Sequence, residues 1–256
     1  MNLVLLNAGE LNAQGRVLLS GPRAAHIVNV LGAGPGQTVR IGLLEGPRGV
    51  GTVVSIEGNT VALDCVLEDK APPRPRVDLL LAVPRPKVMR RLWAQLAALG
   101  VSRIVLTNAE RVERPYFDTH VLTAECYRPL LMEGLQQARD TRLPEVSIHR
   151  RFKVLVEDEL DALSDAGLRL AAHPGAATRA GDAVRAGLGA NPDARVLLAV
   201  GPEGGWNAFE LRLLEEHGFA GIGMGPRTLR TDTACLALLA LVHDAMTGAQ
   251  TVERAV

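Results

Sequence analysis

Residues 199–211 read AVGPEGGWNAFEL: an apolar run, then a turn made of Gly201, Pro202, Glu203, Gly204 and Gly205, then a helix start. Asn207 followed three residues later by Glu210 is the capping signal of that helix. The turn is not GxGxxG and has no Lys-Ser/Thr ending, so a pyrophosphate or triphosphate cradle is poorly supported. Pro202 fixes one backbone angle, while Gly204 and Gly205 permit positive φ and remove a Cβ. Main-chain amides and carbonyls can then approach a flat heterocycle closely, and S-adenosyl-L-methionine is a ligand of that kind. A plain strand-to-helix connection, with Glu203 favouring the helix N-terminus, fits the same residues.

The same rhythm of apolar strand, turn and helix extends outward from this stretch. VDLLLAV (77–83), RIVLT (103–107), LRLAA (168–172), RVLLAV (195–200) and GIGM (221–224) read as strands. KVMRRLWAQLAALG (87–100), a segment near 119–139 and TDTACLALLALVHDAM (231–246) read as helices. Near-continuous apolar strands separated by helices predict an α/β domain with a parallel sheet covered on both faces. The last helix is apolar almost all round and must be buried in the domain or against a second chain. Three of the strands run into similar loops, at His173-Pro174-Gly175, at 201–205 and at 225–234. Ligands of open α/β sheets bind beyond the carboxyl ends of the strands, which predicts one pocket lined by all three.

Residues 39–70 behave differently. They alternate apolar and polar positions between Gly-Pro and Gly-Asn turns, the pattern of short antiparallel strands in which Val61, Leu63, Cys65 and Leu67 share a face. With one helical interruption at 22–31, residues 1–71 read as a small β-rich barrel or sandwich. The linker APPRPR (71–76) then leads into a second domain over 72–256.

Net charge is zero over 256 residues. Locally it is not: residues 72–115 hold nine Lys+Arg against three Asp+Glu, a net of +6, whereas residues 1–71 hold five against six, a net of −1. The cysteines Cys65, Cys126 and Cys235 lack zinc or disulfide spacing, which fits a reducing cytoplasm and predicts no metal. No signal peptide or membrane span is indicated, so a cytoplasmic protein with no membrane partner is expected.

AVGPEGGWNAFEL together with MGPRTLRTDTACLALLAL (224–241) resembles the paired C-terminal motifs of the RsmE family. These are bacterial methyltransferases of the SPOUT superfamily that act on N3 of a uridine in 16S rRNA. His173-Pro174 at a strand end, LAALGVSRIVLTNAERV (96–112) and a β-rich N-terminal part extend the likeness over essentially the whole chain. The resemblance implies a PUA-like barrel, a SPOUT-type parallel sheet with a C-terminal trefoil knot, and a homodimer acting on 16S rRNA or the small ribosomal subunit. It implies S-adenosyl-L-methionine bound by His173 and Pro174, by Val200, Gly201, Pro202, Glu203, Gly204 and Gly205, and by Met224, Gly225, Leu229, Arg230, Thr231 and Thr233. It departs where Ala98-Leu99-Gly100 stands for the usual Glu-Leu-Gly and Gly32 for an expected arginine.

Uracil N3 carries a proton, so methyl transfer to it needs a base or a cation that stabilises the developing anion. Glu203 is the candidate base and Arg230 the candidate cation; a structural Arg230 bonding main-chain carbonyls is the other reading. Thr231 and Thr233 can cap the last helix, with capping favoured for Thr231. Arg85, Lys87, Arg90, Arg91 and Arg111 can position RNA through its phosphates, or can form a solvated face. Aromatic content of 3% argues against broad binding by base stacking. Two alternatives remain: a noncatalytic or differently specific RNA-binding paralogue, and an NAD-dependent Rossmann oxidoreductase. The second is disfavoured because VPRPK stands where a glycine fingerprint belongs.

Overall fold

The computed structural model describes residues 2–253, with side chains as far as Thr247. It forms two compact units: Met1–Arg74 with Pro129–Leu143, and Pro75–Arg128 with Pro144–Val256.

The first unit is a five-stranded mixed sheet in the order β1-β3-β4-β5-β2. Its strands are β1 (Val4–Leu6), β2 (Arg16–Ser20), β3 (Thr38–Leu43), β4 (Arg48–Glu57) and β5 (Thr60–Leu67), with one helix, α1 (Gly21–Asn29). The alternating residues do what their spacing asks. Val61 and Leu63 are fully buried with Val17, Leu19, Ile41 and Val53, and Cys65 and Leu67 pack against that core. β3, β4 and β5 pair antiparallel as residues 39–70 predict, and β1, outside that stretch, runs parallel to β3. A β-bulge at Val53/Ser55 shifts the register between β4 and β5. Residues 129–143 belong with this unit and are held there by main-chain and side-chain bonds: Glu45 N donates to Thr141 O (2.8 Å) and Thr141 Oγ1 to Gly46 O (2.6 Å).

The second unit holds a six-stranded sheet, parallel throughout, in the order β11-β9-β10-β6-β7-β8. The strands are β6 (Val77–Ala82), β7 (Val101–Thr107), β8 (Glu145–His149), β9 (Leu168–Ala172), β10 (Val196–Val200) and β11 (Phe219–Ile222). β6 and β10 are buried at every position, as strands covered on both faces must be. The helices are α2 (Pro86–Ala98), α3 (Ala124–Ala138, whose residues from Pro129 on belong to the first unit), α4 (Phe152–Val154), α5 (Leu160–Leu163), α6 (Ala180–Ala190), α7 (Ala208–Glu216) and α8 (Thr231–Glu253). Asn207 caps α7 as expected, its Oδ1 accepting from Glu210 N while Glu210 Oε2 accepts from Asn207 N, both at 2.8 Å.

Two strands differ from the sequence reading. β8 went unread, and β11 starts two residues earlier than GIGM, because buried Phe219 and Ile222 supply its apolar side chains while Gly223 and Met224 have left the sheet. α8 buries Cys235, Leu238, Leu239, Val242, Ala245 and Met246, a helical stripe, and leaves Leu241 exposed. Most of its apolar character is therefore satisfied inside this unit. At the opposite end of the strands, Asp78 is fully buried and compensated by Arg195 and by the Ser164 hydroxyl, each at 2.7 Å.

Candidate functional site

In strand order, β6, β7 and β8 progress to one edge, after which the chain crosses back to β9 and inserts β10 between β9 and β6. The reversal leaves a crevice beyond the carboxyl ends of β9, β10 and β11, the position where open α/β sheets bind ligands. A cavity of about 250 Å³ lies there, walled by the loops that follow those three strands, the first turns of α8, and Arg111 from the loop after β7.

Each wall is fixed by a few bonds. After β9, His173 N donates to Ile222 O at 2.9 Å, tying His173-Pro174 to β11. After β10, Gly205 N donates to Pro202 O at 2.8 Å, closing the glycine turn on itself. Gly205 has φ of +70° and Gly225 of +114°, so both occupy the left-handed region that glycine fills cheaply. Gly204 does not, so what its missing Cβ supplies is room for close approach. A Cβ added at Gly204 would lie 2.7 Å from Arg111 Cδ, so the Arg111 side chain, whose guanidinium donates to the Gly204 carbonyl, would have to shift. At Gly201 an added Cβ would meet the Trp206 main-chain nitrogen at 3.1 Å and its ring at 3.3 Å. Trp206 is buried against Phe152, ring centroids 5.3 Å apart, and its indole nitrogen has no partner among the described residues.

Glu210 extends the capping of α7 into the site. Its buried carboxylate also accepts from Glu110 N at 2.7 Å, so the loop that carries Arg111 is tied to the helix that follows the glycine turn.

Of the residues expected to hold a cofactor, His173, Pro174, Val200, Gly201, Pro202, Glu203, Gly204, Gly205, Met224, Gly225, Leu229 and Thr231 line this cavity. Arg230 and Thr233 are not among its lining residues. Thr231 is the first residue of α8 and buried in the cavity wall, where capping was expected of it; the residue before the helix is Arg230, whose carbonyl accepts from Ala234 N at 2.8 Å. The Arg230 guanidinium is exposed. Glu203 is exposed, and its Oε1 accepts from Arg85 N at 3.2 Å.

The basic residues disperse. Arg85, Lys87, Arg90 and Arg91 sit exposed at the start of α2, but Arg91 pairs with Asp232 at 3.1 Å, and Arg111 faces the cavity. Sequence reasoning missed Trp206, Arg227 and Thr228 in the lining, although all three fall in or beside the quoted motifs. Burial pushes the Cys235 thiol in α8 up to about 12 and the Cys65 thiol up to about 11, so neither is a thiolate nucleophile near neutral pH. Among the described residues no cluster of His, Cys, Asp or Glu could hold a metal, and no helix is long and apolar enough to cross a membrane.

The site is thus a cavity at the carboxyl ends of a parallel sheet, walled by glycine turns and reached by two arginines, Arg111 and Arg227. The RNA methyltransferase domain family matches residues 71–243. The chain is 31% identical over 248 residues to ribosomal RNA small subunit methyltransferase E of Treponema pallidum, covering 94% of this chain and 90% of that one. It is 22% identical over 247 residues to ribosomal RNA small subunit methyltransferase E 1 of Borreliella burgdorferi (93% and 95% covered). The solved ribosomal RNA small subunit methyltransferase E from Neisseria gonorrhoeae, bound to S-adenosyl methionine, shares the fold, with TM-score 0.72 at 20% identity over 95% of this chain and 97% of that one. The chain belongs to the ribosomal RNA small subunit methyltransferase E family.

Proposed function

We propose that this protein transfers the methyl group of S-adenosyl-L-methionine to N3 of a uridine in 16S rRNA of the small ribosomal subunit. The observation that carries the reading is the cavity itself: three loops drawn from separate strands surround it, and at Gly205 and Gly225 an added Cβ would meet nothing within 4 Å, so main chain is open there. Such a wall suits a flat adenine and ribose, while Arg111 and Arg227 give cations for the carboxylate of an amino-acid tail. When bound, the cofactor supplies an electrophilic methyl on a sulfonium. The protein then positions the acceptor in line and handles one proton, since N3 must lose its hydrogen as the new bond forms. Arg230, unpaired at the head of α8, would stabilise charge developing on the uracil, and Glu203, one oxygen free of Arg85, would take the proton.

The family resemblance supports a trefoil knot in 72–256, a PUA-like RNA-binding role for 1–71, a cytoplasmic setting and a homodimer. Exposed Leu241 on α8 favours the dimer, as an apolar side chain that this unit does not bury. Calorimetric titration with S-adenosyl-L-methionine, followed by mapping of the methylated nucleotide in 16S rRNA, tests the reading. Saturable cofactor binding with no methyl transfer to rRNA would turn it toward the noncatalytic paralogue.

A further inference from the structure

Aromatic side chains are scarce here, and most belong to the core. Trp93, Phe117, Phe152, Trp206 and Phe219 are buried, and Tyr127 lies against Trp93 with ring centroids 4.9 Å apart. Tyr116, half-buried, and Phe209, exposed, are the rings left to solvent. Of the two, Tyr116 is tied to the candidate base. It stands in a 3-10 turn after β7 (Arg114–Asp118), and its hydroxyl donates to Glu113 Oε1 at 2.6 Å. The Arg85 guanidinium lies against the same hydroxyl, while Arg85 N donates to Glu203 Oε1 at 3.2 Å. Glu203 lines the methyl-transfer cavity and Tyr116 does not, so Tyr116 stands just outward from it, linked through Arg85.

The turn is fastened. Arg150, from the loop after β8, donates to Phe117 O at 3.1 Å and to Asp118 Oδ1 at 2.8 Å, and lies over the Phe117 ring 5.4 Å from its centroid. A ring with few torsions on a fastened turn loses little freedom when a flat group settles on it. Hydrogen bonding to Glu113 pushes the Tyr116 phenol up from its ordinary value, so it stays neutral near neutral pH. Arg85 and Arg114 are exposed beside the ring and make no ion pair among the described residues, which leaves cations for the phosphates of a strand lying there. A purely structural use also exists, since the hydroxyl holds Arg85 in place.

We infer that Tyr116 is a stacking platform at the mouth of the cavity for one rRNA base, that of a nucleotide beside the target uridine. The target uracil has to enter the cavity to meet the methyl group, and a neighbour on the same strand then reaches the ring that stands just outside. A single aromatic face accepts any base, so the platform orders the strand without reading it. The inference rests on the uridine substrate proposed above.

The test uses the whole protein with S-adenosyl-L-methionine and a 16S rRNA fragment spanning the methylated uridine. Tyr116→Leu removes the ring and keeps an apolar side chain. It should weaken RNA binding about five- to hundredfold. Its salt slope should match wild type, because no phosphate contact is lost. Tyr116→Phe keeps the ring without its tether and should lose less than Tyr116→Leu. An abasic nucleotide at one of the two positions flanking the uridine should weaken wild type and leave it equal to Tyr116→Leu, as expected when both changes remove one contact. Wild-type affinity in Tyr116→Leu overturns the platform, and so does an abasic RNA that still distinguishes the two proteins at both positions. A shallower slope would mean that Tyr116 acts by holding Arg85, and a lower melting temperature with equal losses in the Phe and Leu variants would make it structural; either ends the proposal. A wild type that binds S-adenosyl-L-methionine but methylates no rRNA sinks the reading beneath it, an outcome seen before any variant is compared.

Discussion

The loops at the carboxyl ends of β9, β10 and β11 and the basic stretch from Arg85 to Arg111 lie in the same unit and carry equally conspicuous sequence, yet the fold treats them oppositely. Loops separated by tens of residues are brought to one cavity. The basic residues, neighbours in sequence, are sent to different tasks: Arg91 to Asp232, Arg111 to the Gly204 carbonyl, and Lys87 and Arg90 to solvent. Glycine and proline impose backbone geometry wherever they stand, so a motif made of them predicts local shape. Charge density imposes none, and its meaning depends on partners that only the tertiary structure supplies.

The contrast is broken most severely at Arg230. Arg230→Ala should lower single-turnover methylation by about two to three orders of magnitude while S-adenosyl-L-methionine affinity stays within a few-fold, as loss of a charge-stabilising donor does. Parallel losses of cofactor affinity, melting temperature and rate would instead make Arg230 part of the scaffold. Glu210 comes next, since its buried carboxylate serves both Asn207 N and Glu110 N. Glu210→Ala leaves two partly buried main-chain donors without their acceptor and should cost about 1–3 kcal/mol in denaturant unfolding. A cost under about 1 kcal/mol would mean that water replaces the carboxylate freely and that the Arg111 loop has another anchor.

The sequence carried the strand-turn-helix rhythm because buried parallel strands are apolar at nearly every position, as β6 and β10 are. β8 was not legible: an edge strand of five residues, EVSIH, with no fully buried position, has little apolar signal to give. α6 was invisible too, because AGDAVRAGLGA mixes three glycines into a helix held by Val184 and Leu188 against its neighbours. In the site, the glycine turn and the His-Pro loop were readable because they are local. Arg111 was assigned to RNA because nothing in one dimension shows that the loop after β7 folds over the turn after β10. Glu210 was read correctly as a cap, and its second bond, to a residue a hundred positions away, could not be.

Arg111 tests whether that reassignment matters. Arg111→Met keeps the aliphatic stem that packs on Gly204 and removes the donor to its carbonyl, so S-adenosyl-L-methionine affinity should fall about tenfold, the worth of one hydrogen bond to a charged group. The salt slope of RNA binding should not change. A shallower slope with intact cofactor binding would return Arg111 to the RNA-contacting set and remove the sharpest line between the two regions.

The smallest effects separate the members of the basic helix from one another. Lys87 and Arg90 are exposed and make no ion pair among the described residues, whereas Arg91 reaches Asp232 at 3.1 Å. An exposed pair of this kind is worth at most about 1 kcal/mol, so it biases Arg91 toward the protein without locking it there. Lys87→Gln and Arg90→Gln should each make the salt dependence of rRNA binding shallower by about 0.7 to 0.9, one phosphate contact apiece, and Arg91→Gln by less. Asp232→Asn frees Arg91, and the slope should then steepen. If all three substitutions left the slope at its wild-type value, this end of α2 would be a solvated face and the RNA would be held elsewhere. If Arg91 contributed as much as Arg90 in the presence of Asp232, the ion pair would not be what sorts these residues, and sequence-local charge would have been the better guide after all.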